Sequence, residues 1–315
     1  MFTRSVNFFL LALCFLGTTP SFCLASAGAG EFDSPKSLII WNHDISYHLL
    51  IENNPRLSFD GKAFIRRVDG RRVPFVTLNI AFLEKEALSL FHRFQSQSAK
   101  ASPSPLPVER NAIMALEERL MELRNPSLSS LSTGTLSIQG ALKKLQDSLE
   151  NVAWLRTYRM SVKNASTAEE AERNFVKGFM EQRLKTLEYH EVAHIHDILT
   201  AVETQSKDFE RFTEANAFYA ELAYGENPHD VMAQALAGLI DEIHQGKTVD
   251  HSAEKVVSVL RFLKQCPRFA RLMRPAALSK GCLETMVKAN KPYFAFVGRE
   301  LYRGHQNLLV SNLSN

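Results

Sequence analysis

The chain has 315 residues, 45% of them apolar and 23% charged, with a formal net charge of +3. That length buries a sizeable core and suits one large domain or two modest ones. So small a charge on so long a chain does not point to a nucleic-acid partner, and the composition is that of a soluble globular protein.

The first 27 residues read as a signal peptide. Arg4 precedes the apolar run NFFLLALCFLG, and TTPSFCLASAGAGEF follows it with small residues, the order of a secretory leader. The run is short for a bilayer span. Small residues at Ala25 and Ala27, or at Ala27 and Ala29, place cleavage after Ala27 or Ala29. Cys14 and Cys23 follow Leu13 and Phe22, whereas a lipid-anchor cleavage site needs a small residue there, so no lipid anchor is expected. No later segment is long and apolar enough to cross a membrane. The mature chain is expected to be exported, either secreted or periplasmic.

Residues 28–95 form a β-rich region. SLIIWN and SYHLLIEN carry strand-forming residues, and RLSFDGKAFIRRVDGRRVPFVTLNIAFL holds two Asp-Gly turn signals between alternating or apolar runs. VPFVTLNIAFL is the strongest strand candidate. Arg66, Arg67, Arg71 and Arg72 flank the second Asp-Gly and read as a solvated hairpin tip. Residues 96–108 are a Ser- and Pro-rich linker, and residues 109–315 read as a mostly helical domain. Helices are expected at about Glu109–Arg124, from a Ser166–Glu169 capping box to about Val202, and over Asp208–Tyr224. A further helix is expected to be capped by Asn227 with Pro228 in its first turn, and others at 251–265 and across 269–303. The fold class is α+β: a small antiparallel β region packed on a larger helical domain. Cys266 and Cys282, the cysteines left after export, are either a disulfide or two buried thiols. A bridge closes a loop of about 15 residues, worth ~3 kcal/mol in the chain-entropy model.

The chemistry concentrates in YHEVAHIHD. His190 and His194 are four apart and so share a helix face, where two imidazoles can reach one metal ion. Glu191 projects about 100° round the helix, where a general base for a metal-activated water belongs. Two core histidines and a glutamate on one turn otherwise require several satisfied hydrogen bonds. A catalytic site needs a third protein ligand. Thr200 stands six residues after His194, which closes the branch whose third ligand is a histidine there. His196 projects from another face and is expected at the surface. Glu214, at the start of the next predicted helix and twenty residues after His194, is one candidate, and Glu203, Glu210 and Glu221 are others. Asp197 lies near the face of both histidines, either supporting one of them through its N–H or as an exposed helix acid.

HEVAH followed by Glu214 resembles the gluzincins, zinc peptidases of the thermolysin-like type, over about residues 184–224. The resemblance implies a zincin-like domain with His190, His194 and Glu214 as zinc ligands and Glu191 as catalytic base. The thermolysin-like pattern has an aspartate four residues after the ligand glutamate; Phe218 stands there, while Ala217 fits a looser pattern. Gluzincins bind substrate as an added strand along a sheet edge, and VPFVTLNIAFL is the candidate edge. An oxyanion donor is expected among Tyr219, Tyr224, Tyr293, Tyr302, His229 and His305. The expected function is that of an exported zinc metallopeptidase acting on a peptide or protein substrate, with no nucleic-acid partner. The alternatives are a non-catalytic zincin-like binding or scaffold protein and a di-metal helical-bundle oxidoreductase. The last would pair Glu191–His194 with the similarly spaced Glu226–His229.

Overall fold

The computed structural model describes residues 35–98 other than 58, then 135–200, 207–244, 255 and 287–313. The signal peptide, nearly all of the 96–108 linker, the helix expected at 109–124, that expected at 251–265 apart from Lys255, and the Cys266–Cys282 pair lie outside the described residues. Four strands come first, β1 (Lys36–Ile40), β2 (His43–Glu52), β3 (Gly61–Val68) and β4 (Arg71–Asn79). Six helices follow among the described residues: α1 (Ile80–Ser98), α2 (Thr135–Lys163), α3 (Ala168–Thr200), α4 (Lys207–Tyr224), α5 (Pro228–His244) and α6 (Lys291–Leu313). The architecture is α+β, as expected.

Two turns build the sheet. Trp41 and Asn42, and then Asp69 and Gly70, all have positive φ. Paired positive φ values make the two-residue turns whose twist matches that of flanking strands. They join β1 to β2 and β3 to β4 as antiparallel pairs. The second turn is the hairpin with Arg66, Arg67, Arg71 and Arg72 exposed at its tip.

The sheet as a whole is mixed, not antiparallel: its order is β1-β2-β4-β3, and β2 runs parallel to β4. The first Asp-Gly is not a hairpin turn but the entry to β3. Residues 53–60 carry the chain past the position of β4, so that β3 pairs on its far side. Asn79, fully buried at the end of β4, fastens this crossing. Its amide group donates to the carbonyls of Asn54 and Phe59, and its backbone N–H donates to Asp60. β4 therefore lies inside the sheet, and VPFVTLNIAFL is not the edge. The edge strands are β1 and β3.

The apolar run also ends earlier than its composition suggests. Strand β4 stops at Asn79, and Ile80 to Leu83 open α1. Leu83, Ala87, Leu90, Phe91 and Phe94 are buried, at the three- and four-residue spacing of one helix face. From Ala87 onward that face meets Trp154, Tyr158, Phe175 and Phe179 from α2 and α3 in an aromatic cluster, while Leu83 joins the larger core.

Helix α3 is unbroken over 33 residues, about 50 Å at 1.5 Å per residue. Its start lies one residue later than expected: Thr167 Oγ1 accepts from the N–H of Glu170 at 3.1 Å, and Glu170 accepts from the N–H of Ser166 at 2.7 Å. The first half of α3 packs in the aromatic cluster. The second half, with Leu187, Val192, Ala193 and Ile195, enters a larger core shared by all four strands and helices α2, α4, α5 and α6. Sheet and helices thus have one common core. Pro228 opens α5, and the N–H groups of Asp230 and Val231 donate to the carbonyl of Asn227. The Asn227 side chain instead donates to Ala153 of α2 at 3.0 Å.

Candidate metal centre

His190 and His194 follow each other one turn apart on the second half of α3, and α4 runs alongside with Glu214 facing them. The Nε2 atoms of the histidines are 3.1 Å apart, and Glu214 Oε1 is 3.4 Å from His194 Nε2. Among the described residues this is the one group of three whose ligand atoms, all within 4.8 Å of one another, could hold a metal ion. Ligand atoms at about 2.0–2.1 Å from a tetrahedral ion stand roughly 3.3 Å from each other. The His190–His194 and His194–Glu214 spacings are of that order, so the group could hold a metal ion through two nitrogens and one oxygen.

The carboxylate against His190 is Glu221, two turns beyond Glu214 on α4. Its Oε2 stands 3.5 Å from His190 Nδ1, long for a hydrogen bond but placed to hold the ring with Nε2 toward the cluster. Phe218 is buried in the core, and a carboxylate facing His190 comes instead from Glu221, about one turn later. Asp197 is also buried, but its oxygens meet other groups. Asp197 Oδ1 is 3.1 Å from His196 Nδ1, and Oδ2 accepts from Asn216 at 3.0 Å. His196 is not at the surface: it is 3% exposed and lies 4.9 Å from the ring of His43. The α3–β2 contact covers the face of the helix on which His196 was expected to meet water. Glu210 lies on α4 with its side chain among those not described, and Glu203 lies outside the described residues.

Glu191 sits beside the triad against the sheet. A Cβ added at Gly61, the first residue of β3, would stand 2.4 Å from Glu191 Oε1. Only a glycine permits that approach. Burial pushes the Glu191 carboxyl up to about 7, against the pull of His190 and His194. For His190, burial acts downward, yet Glu221 and the neighbouring carboxylates lift it to about 9. Glu214 is held well below the usual carboxylate range: burial opposes this, and Lys255 and His194 outweigh it. Lys255 Nζ lies 3.0 Å from Glu214 Oε2.

A second layer of charge supports this one. Arg183, 4% exposed and two turns before His190 on α3, faces Asp60 at 3.6 Å, Asp230 at 3.5 Å and Glu221 at 3.8 Å. Trp154 donates to Asp230 at 2.7 Å. Burial raises Asp230 to about 6 against the pull of Arg183. The buried cation ties the entry of β3, which carries Gly61, to the helix that carries Glu214 and Glu221.

The oxyanion candidates fall in several places. Tyr302 stacks on Trp41 at 3.8 Å, and Tyr224 packs against the same indole at 5.3 Å. His305 lies 3.2 Å from Asn216 and 5.8 Å from the ring of Tyr219. His229 and Tyr293 both pack against Phe294 in the core. Glu226, the acid of the second Glu-x-x-His, pairs with Lys291 at 2.9 Å and Lys185 at 3.8 Å, away from Glu191.

Lys255, Arg183 and the supporting role of Glu221 escape a reading of the sequence. Lys255 comes from 41 residues beyond Glu214, at no fixed interval. Arg183 does carry a signal, a charged residue on an otherwise apolar stripe. No protein-family model matches the chain, and neither a curated protein nor a solved structure matches it.

Proposed function

We propose that the protein is a zinc-dependent metallopeptidase, exported through its N-terminal leader and acting on extended peptide segments. The observation that carries this reading is the convergence of His190, His194 and Glu214 with a buried carboxylate, Glu191, at their side. A divalent ion bound by such a set lowers the pKa of a water and polarises a carbonyl. Two imidazole nitrogens and one carboxylate oxygen are a donor set that suits zinc. Glu191, raised toward neutrality by burial, is suited to take a proton from that water and return it to the leaving amine. Glu221 stands 3.5 Å from His190 Nδ1, where it would orient the ring, and the edge of β3 begins at Gly61 beside Glu191. A peptide pairing with that edge would bring its backbone to the carboxylate. The gluzincin resemblance of HEVAH and Glu214 agrees with this assignment.

One observation favours a non-catalytic reading. Lys255 engages Glu214, as it would in a degenerate site whose charge is balanced by an ammonium.

Elemental analysis of the mature chain separates the two. About one zinc per chain, lost in His190→Ala, together with peptide hydrolysis abolished in Glu191→Gln, is the expected result. A chain that takes up no zinc on incubation with it would sink the peptidase reading.

A further inference from the structure

The β3–β4 hairpin carries charge that no carboxylate among the described residues pairs with. Arg66, Arg67, Arg71 and Arg72 are all exposed, and none is paired with a carboxylate among the described residues. Lys62 adds to them, and in the stretch from Gly61 to Val73 only Asp69 opposes them. Arg67 stands directly across from Arg72 in the ladder, a like-charged cross-strand pair that is unfavourable in isolation. By the alternation of the pleat, both lie on the sheet face of Ala63 and Val76, the face turned to the common core and α3. Arg66 lies on the other face, over the rings of Phe64 and Phe75.

The same strand is an edge. Among the described residues β3 pairs with β4 on one side only, and its other side presents backbone N–H and C=O groups in strand register. One end of this edge is Gly61, against Glu191. The other end is the arginine ribbon, about six residues on, roughly 20 Å at 3.3 Å per residue.

We propose that the free edge of β3 docks an extended, acidic peptide segment. The backbone of the segment adds a strand to the sheet, and its carboxylates lie on Arg67 and Arg72, about six residues from the part of the chain that reaches Glu191. The edge selects polypeptide over other polyanions, because an extended peptide alone satisfies a row of strand hydrogen-bonding groups. The arginines select acid, and a carboxylate between Arg67 and Arg72 removes their mutual repulsion. The inference deepens the peptidase reading by naming a substrate class and rests on it for what happens at Glu191. The docking itself needs no catalysis.

The test uses the zinc-loaded Glu191→Gln chain and a fluorescein-labelled peptide of about twelve residues, long enough to span the strand, with glutamates in one half. A twin peptide carries glutamine in their place. Fluorescence anisotropy is expected to show about tenfold or greater preference for the glutamate peptide, weakening with salt and lost in Arg67→Gln/Arg72→Gln. Thermal melts of the double variant check that the hairpin change leaves the fold intact. Equal binding of both peptides, or a preference unchanged in the double variant, overturns the inference. So does competition in which a single-stranded oligonucleotide or anionic phospholipid vesicles displace the peptide and themselves bind tighter. Wild-type cleavage of the two peptides is read separately. Docking without cleavage keeps this inference and sinks the peptidase reading, whereas cleavage indifferent to the acidic half does the reverse.

Discussion

Gly61 and Glu191 leave no room for a side chain between them, and that contact yields a sharp test. In Gly61→Ala the new Cβ would begin 2.4 Å from Glu191 Oε1. The carboxylate is the free end of its side chain, so it rotates away rather than forcing the strand out. A displacement of about 1 Å in a catalytic group costs on the order of 100-fold in rate. Gly61→Ala is therefore expected to lower kcat for peptide hydrolysis by about that factor with zinc content unchanged; unchanged turnover would show that Glu191 is not the base. Glu221 would act from behind the ring of His190, 3.5 Å from its Nδ1. Glu221→Ala is expected to weaken zinc binding about 10- to 100-fold, the usual cost of losing a carboxylate behind a ligand histidine, as measured by competition with a chromophoric chelator. The pattern His190, Glu191, His194 was legible because a helix fixes where four-residue neighbours point. Glu214 was legible only through the gluzincin interval. Neither signal reaches Glu221's support of His190, or Lys255, because those contacts depend on how α4 and its surroundings pack.

Helix α6 reaches α4 through a glycine. A Cβ on Gly298 would stand 2.5 Å from the carbonyl oxygen of Tyr219 and 2.8 Å from the N–H nitrogen of Ala223. These are backbone atoms of α4, so the helices must separate to admit a methyl group. Gly298→Ala is expected to destabilise the fold by about 1–3 kcal/mol. Gly304, on the same helix with nothing within 4 Å of its added Cβ, provides the contrast. Gly304→Ala is expected to stabilise by roughly 0.5–1 kcal/mol through helix propensity alone. Urea denaturation of the two variants decides it: shifts of the same sign would mean that the crossing of α4 and α6 is not close-packed. At this scale the sequence was readable where one signal dominated. Period and capping give α3, α4 and α5 to within a residue or two. They fail at Asn79–Ile80, where an apolar run is divided between β4 and α1. The parallel β2–β4 pairing depends on where the 53–60 crossing carries the chain, and local residue preferences are silent on that.

Across the whole molecule, the candidate centre joins the two helices that hold the larger core together. α3 brings His190 and His194, α4 brings Glu214, and both line a core that includes every strand. In the unfolded chain His190 and His194 sit 20 or more residues from Glu214 without fixed geometry, so an ion that binds the folded set adds its binding free energy to stability. At a free zinc concentration about 100 times its dissociation constant that amounts to about 2.7 kcal/mol. For a domain of this order of size it raises the Tm by roughly 5–10 °C. The aromatic cluster of Phe91, Phe94, Trp154, Tyr158, Phe175 and Phe179 contributes the same stability with or without the ion, so the difference reports the centre alone. Removing the metal with a chelator is expected to lower the wild-type Tm by that interval, with full recovery on adding zinc. In Glu214→Ala the two treatments are expected to melt together. A chelator shift that survives in Glu214→Ala would place the ion elsewhere and remove the third ligand from the assignment. A wild-type chain indifferent to chelator would leave His190 and His194 as core residues bridged to each other through a shared N–H.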